Sequence, residues 1–92
     1  MRQRARKDLN QEAIVDALKA HGASVYVSNN AALPDLVVGS RGRTFLLEVK
    51  SDSGKLTRAQ KTFFATWKGH AAIVRCPEDA IAAVFGRSQC RT

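Results

Sequence analysis

The stretch LPDLVVGSRGRTFLLEVKS, residues 33–51, decides the fold. Most of its residues are apolar or β-branched, which is typical of β-strands, and a short polar segment interrupts the run near its middle. In that segment Arg41 and Gly42, flanked by Ser40 and Arg43, supply a tight turn. The stretch therefore predicts a β-hairpin in which Ser40 pairs with Arg43.

Three charged residues meet at the open end of this predicted hairpin. With Ser40 paired to Arg43, Asp35 lies directly opposite Glu48, with their β-carbons about 4.5–5.5 Å apart. Lys50 shares a face with Glu48 because side chains alternate along a strand. Two opposed carboxylates repel each other unless a cation lies between them, so the pattern calls for a chemical reason.

Hydrolysis of a phosphodiester bond would supply that reason. Asp35 and Glu48 offer the oxygen ligands that Mg²⁺ or Mn²⁺ prefers, and the carbonyl of Val49 is a further candidate ligand. Such an ion is a Lewis acid at a phosphate and lowers the pKa of a bound water. Lys50 can hold that water or stabilise the developing negative charge. The alternative is a surface hairpin with scattered charges, in which Asp35 simply follows Pro34 in a turn.

The composition favours a nucleic-acid partner. The chain has 92 residues, of which 45% are hydrophobic, and its net charge is +7. That length predicts one domain with a modest core, and a strongly positive charge is typical of proteins that bind polyanions. A basic protein without such a partner, or a ribosome-like structural module, is the alternative.

Membrane and secretory roles are not expected. No apolar run approaches the ~18 to 20 residues that span a membrane, and no apolar segment follows the charged N-terminus. Cys76 and Cys90 lack a metal-ligand spacing with either histidine, and two thiols without a signal peptide indicate a reducing compartment. We expect a cytoplasmic protein with Cys76 in its core.

Three helices are predicted around the hairpin. Asp8 has the position of an N-cap, with Gln11 completing a capping box, and Thr57 with Gln60 repeats the pattern. Glycines end the first two helices, and a proline opens the third. The predicted limits are Asp8 to Gly22, Thr57 to Gly69, and Pro77 to about Phe85.

Two further strands complete the predicted order of helix, three strands, helix, strand and helix. The strand sequences are ASVYVS at 23–28, DLVVG at 35–39, TFLLEVK at 44–50 and AAIVRC at 71–76, with the loop NNAALP at 29–34. The predicted layout of the single domain is a basic arm at 1–7, a core at 8–85 and a flexible tail at 86–92.

Pro34-Asp35 followed by Glu48-Val49-Lys50 resembles the signature of the PD-(D/E)xK nuclease superfamily. The chain is more narrowly similar to stand-alone VRR-NUC (virus-type replication-repair nuclease) domains of phages and bacteria. Those domains share an acid in the first helix, here Glu12, and a helix start of the form LTRAQ, here ending in Gln60. The resemblance covers roughly residues 8–85. One departure is Ala32, which stands where the family commonly has glycine.

The resemblance implies a fold and an activity. The fold is a restriction-endonuclease-like αβββαβ core, of the α/β class, with a mixed four-stranded sheet flanked by helices. The activity is that of a Mg²⁺- or Mn²⁺-dependent endonuclease on DNA, in a bacterial cell or a phage-infected host. It further implies a homodimer that acts on branched or four-way junction DNA. The alternative is a catalytically inactive, basic nucleic-acid-binding module on the same fold.

The resemblance also gives two residues their roles. Glu12 would be a third carboxylate that reaches the metal or its waters, with Asp16 as competitor and an ordinary solvated acid as the alternative. Gln60 would point at the catalytic centre and orient a water or phosphate. Gln60 is equally well explained as the capping partner of Thr57, and we expect that one amide does not easily serve both functions at once.

Basic and aromatic side chains provide the expected contact surfaces. Phe63, Phe64 and Trp67 are predicted in the core rather than against bases, although they cannot all face one way, and an outward pair would indicate a subunit interface. Each basic residue is either a phosphate contact or a solubilising charge. The predicted phosphate contacts are Arg2, Arg4, Arg6, Lys7, Arg41, Arg43, Lys55, Arg58 and Lys61.

Overall fold

The computed structural model describes the backbone from residue 6 to residue 86 and the side chains from residue 9 onward. Within this range the predicted order of helices and strands is confirmed. None of the described helices is long and apolar enough to cross a membrane. The elements are α1 (Arg6–Ala20), β1 (Ser24–Val27), β2 (Leu36–Ser40), β3 (Arg43–Val49), α2 (Arg58–Thr66), β4 (His70–Val74) and α3 (Pro77–Phe85).

The four strands form one mixed sheet, as the resemblance implies, and their order across the sheet is β1-β2-β3-β4. β2 is antiparallel to both of its neighbours, β1 and β3, whereas β4 runs parallel to β3. Arg41 and Gly42 both have positive φ, 52° and 78°, which makes the hairpin loop a type I′ turn. Ser40 pairs with Arg43, so the predicted register is confirmed and places Asp35 opposite Glu48.

One face of the sheet, called here the core face, packs against α1 and α3. Alternate residues of β2 and β3 point toward this face, so their apolar positions recur with a period of two. Ile14 and Leu18 of α1 cover them and are fully buried. The strand residues in this core are Leu36, Val38, Phe45, Leu47, Val49 and Val74, joined from α3 by Ala80, Ile81 and Val84.

The opposite face, called here the α2 face, carries Asp35 and Glu48. Gln60 places the start of α2 beside this face, yet α2 has no buried residue. The predicted core position of Phe63, Phe64 and Trp67 is therefore wrong. The three rings pack on one another instead: the Phe63 and Phe64 ring centres lie 5.5 Å apart, edge to face, and those of Phe63 and Trp67 lie 5.1 Å apart, stacked.

The predicted helix limits are partly corrected. α1 begins at Arg6 rather than at Asp8, because Arg6 and Lys7 are good helix formers that extend it by two residues. Arg6 and Lys7 therefore belong to α1, while the rest of the predicted arm at 1–7 and the predicted tail at 86–92, apart from Gly86, lie outside the described residues. Gly22, with φ of 94°, ends α1 in a Schellman motif, in which the Ala23 N–H donates to the Leu18 carbonyl at 3.0 Å.

Two other ends differ from the prediction. α2 ends at Thr66 instead of at Gly69, because Trp67 takes an extended conformation with ψ of 131°. Cys76 lies at the N-cap of α3 and not in the core, and its Sγ accepts the Asp79 N–H at 3.4 Å. Burial raises the pKa of the Cys76 thiol from its ordinary value of 9.0, so the thiol is protonated at neutral pH.

Candidate active site

A row of side chains across the α2 face contains the predicted pair of acids. The registers of the sheet align Ser28, Asp35, Glu48 and Ile73 in neighbouring strands. The Ser28 N–H donates to the Asp35 carbonyl at 2.8 Å, which continues the ladder between β1 and β2. The Asp35 carboxylate accepts the Val49 N–H at 2.9 Å, so the side chain is fixed against the end of β3.

Glu48 is a buried carboxylate with two polar neighbours. It is only 3% exposed, although it stands on the face that α1 and α3 do not cover. Gln60 Nε2 donates to Glu48 Oε2 at 3.0 Å, and Lys50 Nζ lies 3.7 Å from the same oxygen. A buried carboxylate is costly unless cations and hydrogen-bond donors compensate for the lost water, and Lys50 and Gln60 provide both.

Gln60 joins the start of α2 to this carboxylate. Its Oε1 accepts the Thr57 N–H at 2.9 Å, and its own N–H donates to Thr57 Oγ1 at 3.1 Å, which forms the predicted capping box. Its Nε2 meanwhile donates to Glu48. The amide therefore caps α2 and contacts Glu48 at once, because its oxygen and its nitrogen point in different directions. Its role in orienting a water or phosphate stays a prediction.

The oxygen atoms at the end of the hairpin fit a small hard cation. The Val49 N–H donates to the Asp35 carboxylate. Because the N–H and C=O of one strand residue point toward the same neighbouring strand, the Val49 carbonyl also faces Asp35. Mg²⁺ is usually bound by one or two carboxylates with the remaining positions filled by water. The donor set of Asp35, Glu48 and the Val49 carbonyl therefore suits Mg²⁺ or Mn²⁺.

Glu12 lines a different cavity from the one that Asp35 and Glu48 line. Among side chains 9–86, no three His, Cys, Asp or Glu residues form a group that would hold a metal ion. Glu12 and its predicted competitor Asp16 line a separate cavity of about 390 Å³ beside Val27. The role of Glu12 stays a prediction, to be tested in the metal-bound protein.

Three polar residues at the site were missed by the sequence analysis. Ser28, Asn29 and Asn30 line a cavity of about 250 Å³ together with Asp35, Glu48 and Gln60. The loop is tied internally, since Asn30 Oδ1 accepts the Ala32 N–H at 2.9 Å. Ser28 lies beside Asp35 because Val27 pairs with Leu36, and no local sequence pattern marks that pairing.

Ala32 accommodates the loop in front of Asp35 without backbone strain. Arg41 is the one non-glycine residue of the described chain with a positive φ, so Ala32 keeps an ordinary backbone conformation. An alanine at this position therefore causes no backbone strain in the loop that leads to Asp35.

The basic residues fall into two groups at opposite ends of the hairpin. Lys55, Arg58 and Lys61 are exposed around the start of α2, near Gln60. Arg41 and Arg43 lie at the turn, about 17 Å from Asp35 at ~3.4 Å per strand residue.

Not all of these basic residues are equally placed for DNA. The Arg41 guanidinium lies 5.3 Å from the centre of the Phe85 ring. Arg6 and Lys7 belong to the first turn of α1, while Arg2 and Arg4 lie outside the described residues. The group around α2 is therefore the one that adjoins the carboxylate pair.

The comparisons with known proteins agree with this architecture. Neither a scan against protein-family models nor a search of curated proteins gives a match for the chain. A solved structure titled "VRR_NUC domain" superposes on 89% of this chain and 97% of its own length, with a TM-score of 0.75 and 18% sequence identity. The fold implied by the resemblance is thus confirmed: the chain has the restriction-endonuclease-like α/β fold of a VRR-NUC domain.

Proposed function

We propose that this protein is a metal-dependent endonuclease that hydrolyses phosphodiester bonds in DNA. The observation that carries the proposal is the cluster at the open end of the hairpin. There Asp35 faces Glu48, Lys50 lies 3.7 Å from the Glu48 carboxylate, and Gln60 hydrogen-bonds to the same oxygen. The solved structure with the same fold bears the name of a nuclease domain, which supports the proposal.

Asp35, Glu48 and the Val49 carbonyl would hold Mg²⁺ or Mn²⁺. When bound, the ion supplies Lewis-acid chemistry at the scissile phosphate and makes a bound water more acidic. The Val49 N–H fixes the Asp35 carboxylate through its Oδ2, and Gln60 fixes Glu48. Both carboxylates are therefore oriented by the protein before a metal arrives.

Lys50 provides positive charge where negative charge develops. Its side chain is only 13% exposed, so water screens the ammonium group weakly. An ammonium in this position holds the attacking water by a hydrogen bond and stabilises the pentacovalent phosphate. Gln60 donates to the same Glu48 oxygen that Lys50 approaches, and so helps to hold that carboxylate beside the ammonium group.

The basic residues around α2 would bind the DNA backbone. Lys55, Arg58 and Lys61 are exposed and adjoin the site, and each phosphate contact releases counterions. Arg2, Arg4, Arg6 and Lys7 at the N-terminus, with Arg41 and Arg43 at the turn, would extend this surface. The proposed substrate is branched DNA, with four-way junctions as the leading candidate.

A homodimer would supply the two active sites that symmetric cleavage of a junction requires. The aromatic residue at the end of α2 supports this assembly, since Trp67 is 44% exposed. Trp67→Asp should then give a monomer in sedimentation, while Val27→Asp, an exposed apolar position on the opposite face of β1, should leave the dimer intact. A wild-type monomer, both free and bound to DNA, would remove the junction-resolving part of the proposal.

One cleavage experiment separates the enzyme from an inactive DNA-binding module. Supercoiled, linear, flap, nicked and four-way DNA are incubated with the protein in Mg²⁺ and then in excess chelator. The proposal expects cleavage in Mg²⁺, no cleavage in chelator, and a preference for the four-way substrate. Binding without cleavage in Mg²⁺ and in Mn²⁺ would instead identify a binding module.

A further inference from the structure

A second polar cluster lies directly behind Lys50, between α1, the end of β4 and the loop that follows β3. It is called here the Arg75 anchor. Arg75 Nη1 donates to main-chain carbonyls of the loop, including Gly54 at 2.9 Å. Asn10 Nδ2 donates to the Arg75 carbonyl at 3.1 Å and to the Lys50 carbonyl at 3.3 Å. The loop carbonyls that accept from Arg75 are those of Ser51, Asp52 and Gly54.

The main chain of Lys50 is held on both sides, by the sheet at its N–H and by the anchor at its carbonyl. The Lys50 N–H donates to the Val74 carbonyl at 3.1 Å, in the ladder between β3 and β4. The Lys50 carbonyl accepts from Asn10, which lies 40 residues away in the sequence. The backbone is thus fixed at the residue whose ammonium group must stay beside Glu48.

The anchor also fixes the connection from β3 to α2. Three loop carbonyls lie within hydrogen-bond distance of one guanidinium nitrogen, whose two N–H groups they share, with the Asp52 carbonyl the most distant at 3.3 Å. Charge-assisted hydrogen bonds of this kind are roughly twice as strong as neutral ones. The Arg75 N–H donates to Asp79 Oδ2 at 3.0 Å, which ties Arg75 to the start of α3. Since α2 has no buried residue, this loop and the capping box help to hold Gln60 near Glu48.

We propose that Arg75 and Asn10 are positioning residues for Lys50 and for the loop that leads to Gln60. The inference rests on the proposed function, because it assigns them a purpose at that same site. The hydrogen bonds of Arg75 reach the loop carbonyls and Asp79, so it acts on Lys50 and Gln60 through the main chain. A loose anchor would leave the carboxylates in place and let Lys50 and Gln60 drift from Glu48.

The first experiment measures amide hydrogen exchange, which does not depend on activity. Arg75→Met removes the donors and keeps the apolar stem, while Arg75→Lys restores donors on one nitrogen. Asn10→Asp keeps the shape and removes both donated hydrogen bonds. We expect the amides of Lys50 and Gly54 to exchange fastest in Arg75→Met, more slowly in Arg75→Lys and most slowly in the wild type. The amides of 45–47 should stay equally protected in all three proteins.

The control is Lys19→Met, an exposed lysine of α1 far from the anchor. It removes the same charge as Arg75→Met and should leave exchange at Lys50 unchanged. Exchange that rises equally throughout the sheet, or does not rise at all in Arg75→Met, would overturn the inference.

The second experiment compares turnover with DNA affinity in the same variants. A positioning residue predicts a fall in kcat of roughly tenfold or more in Arg75→Met, partial recovery in Arg75→Lys, and an unchanged Kd for DNA. A weaker Kd with unchanged kcat and unchanged exchange would make Arg75 a phosphate contact and overturn the inference.

The two proposals fail in different ways. If the wild-type protein cuts no DNA, the proposed function fails, and the exchange data alone decide whether Arg75 and Asn10 anchor Lys50. If the wild type cuts and the Arg75 variants cut equally well, the proposed function stands and the positioning role is overturned.

Discussion

The two faces of the sheet are built from the same strands and serve opposite purposes. On the core face, Leu47 and Val49 are fully buried under helices. On the α2 face, Glu48 and Lys50 alternate with them, one residue out of phase. The α2 face keeps Tyr26 71% and Ile73 37% exposed. At its end, β3 thus gives Leu47 and Val49 to the core and Glu48 to the candidate site, while Leu46, further back on the α2 face, is a buried apolar residue.

This difference shows how a small domain separates fold from function. Substitutions at the polar row need not disturb the core, since they point away from α1 and α3. A shift of the β3 register by one residue would exchange the two sets and lose both at once. The type I′ turn at Arg41 and Gly42 is what prevents that shift.

Truncating a core-face leucine is expected to have the largest effect. Leu47→Ala removes a fully buried side chain and should lower the free energy of unfolding by about 2–5 kcal/mol. Val37→Ala, on the α2 face, should lower the free energy of unfolding by about 1 kcal/mol, because the half-buried Val37 side chain removes less apolar surface from water when the protein folds. Urea unfolding measures both, and equal losses would remove the distinction between the faces.

Removing the charge of Lys50 should have the next largest effect, on turnover and not on stability. Lys50→Met should reduce kcat by about 10²–10³, the range for loss of one group that stabilises charge in the transition state. The Kd for DNA should change little, because the group acts in the transition state. Lys19→Met is the matched control. A large loss of binding with normal turnover would make Lys50 a phosphate clamp.

Weakening the cap of α2 should have a moderate and local effect. Thr57→Ala removes the acceptor of the Gln60 N–H and should destabilise the helix start by about 1 kcal/mol. Because α2 adds nothing to the core, the loss should appear as faster amide exchange in α2 with an unchanged midpoint of thermal unfolding. Thr57→Ser, which keeps the hydroxyl, should behave as wild type. A lowered midpoint would mean that α2 supports the whole fold.

The smallest effects should come from single basic residues. Replacing Arg58 or Lys61 by glutamine should reduce the slope of log K against log salt by about 0.9 each, if each neutralises one phosphate of duplex DNA. Arg43→Gln, at the far end of the hairpin, should change the slope less. Equal changes at both ends would extend the DNA-binding surface along the whole hairpin.

Local patterns predicted the hairpin and the capping box. The Arg41-Gly42 turn fixed the register and hence the meeting of Asp35 and Glu48, and the spacing of Thr57 and Gln60 identified the start of α2. Both depend on residues close in sequence, where turn chemistry and capping geometry leave few alternatives.

Contacts between residues far apart in the chain could not be predicted from local sequence patterns. An apolar pattern in α2 does not say whether its rings pack into the core or on one another, so Phe63 and Trp67 were misplaced. The hydrogen bond of Asn10 to Arg75 joins residues 65 positions apart, and no local pattern marks it. Ser28 reaches the site through the pairing of β1 with β2, which depends on tertiary packing.

The central claim is that the opposed carboxylates of the α2 face form a metal-dependent catalytic centre. Asp35→Asn tests it most directly, because the amide oxygen can still accept the Val49 N–H while the charge that binds the metal is lost. Cleavage of supercoiled and four-way DNA in Mg²⁺ is measured beside thermal unfolding of the same preparation. We expect no detectable cleavage by Asp35→Asn. Its midpoint of thermal unfolding should be at or above that of the wild type, because the repulsion between the Asp35 and Glu48 carboxylates is removed. Wild-type cleavage by folded Asp35→Asn protein would contradict it.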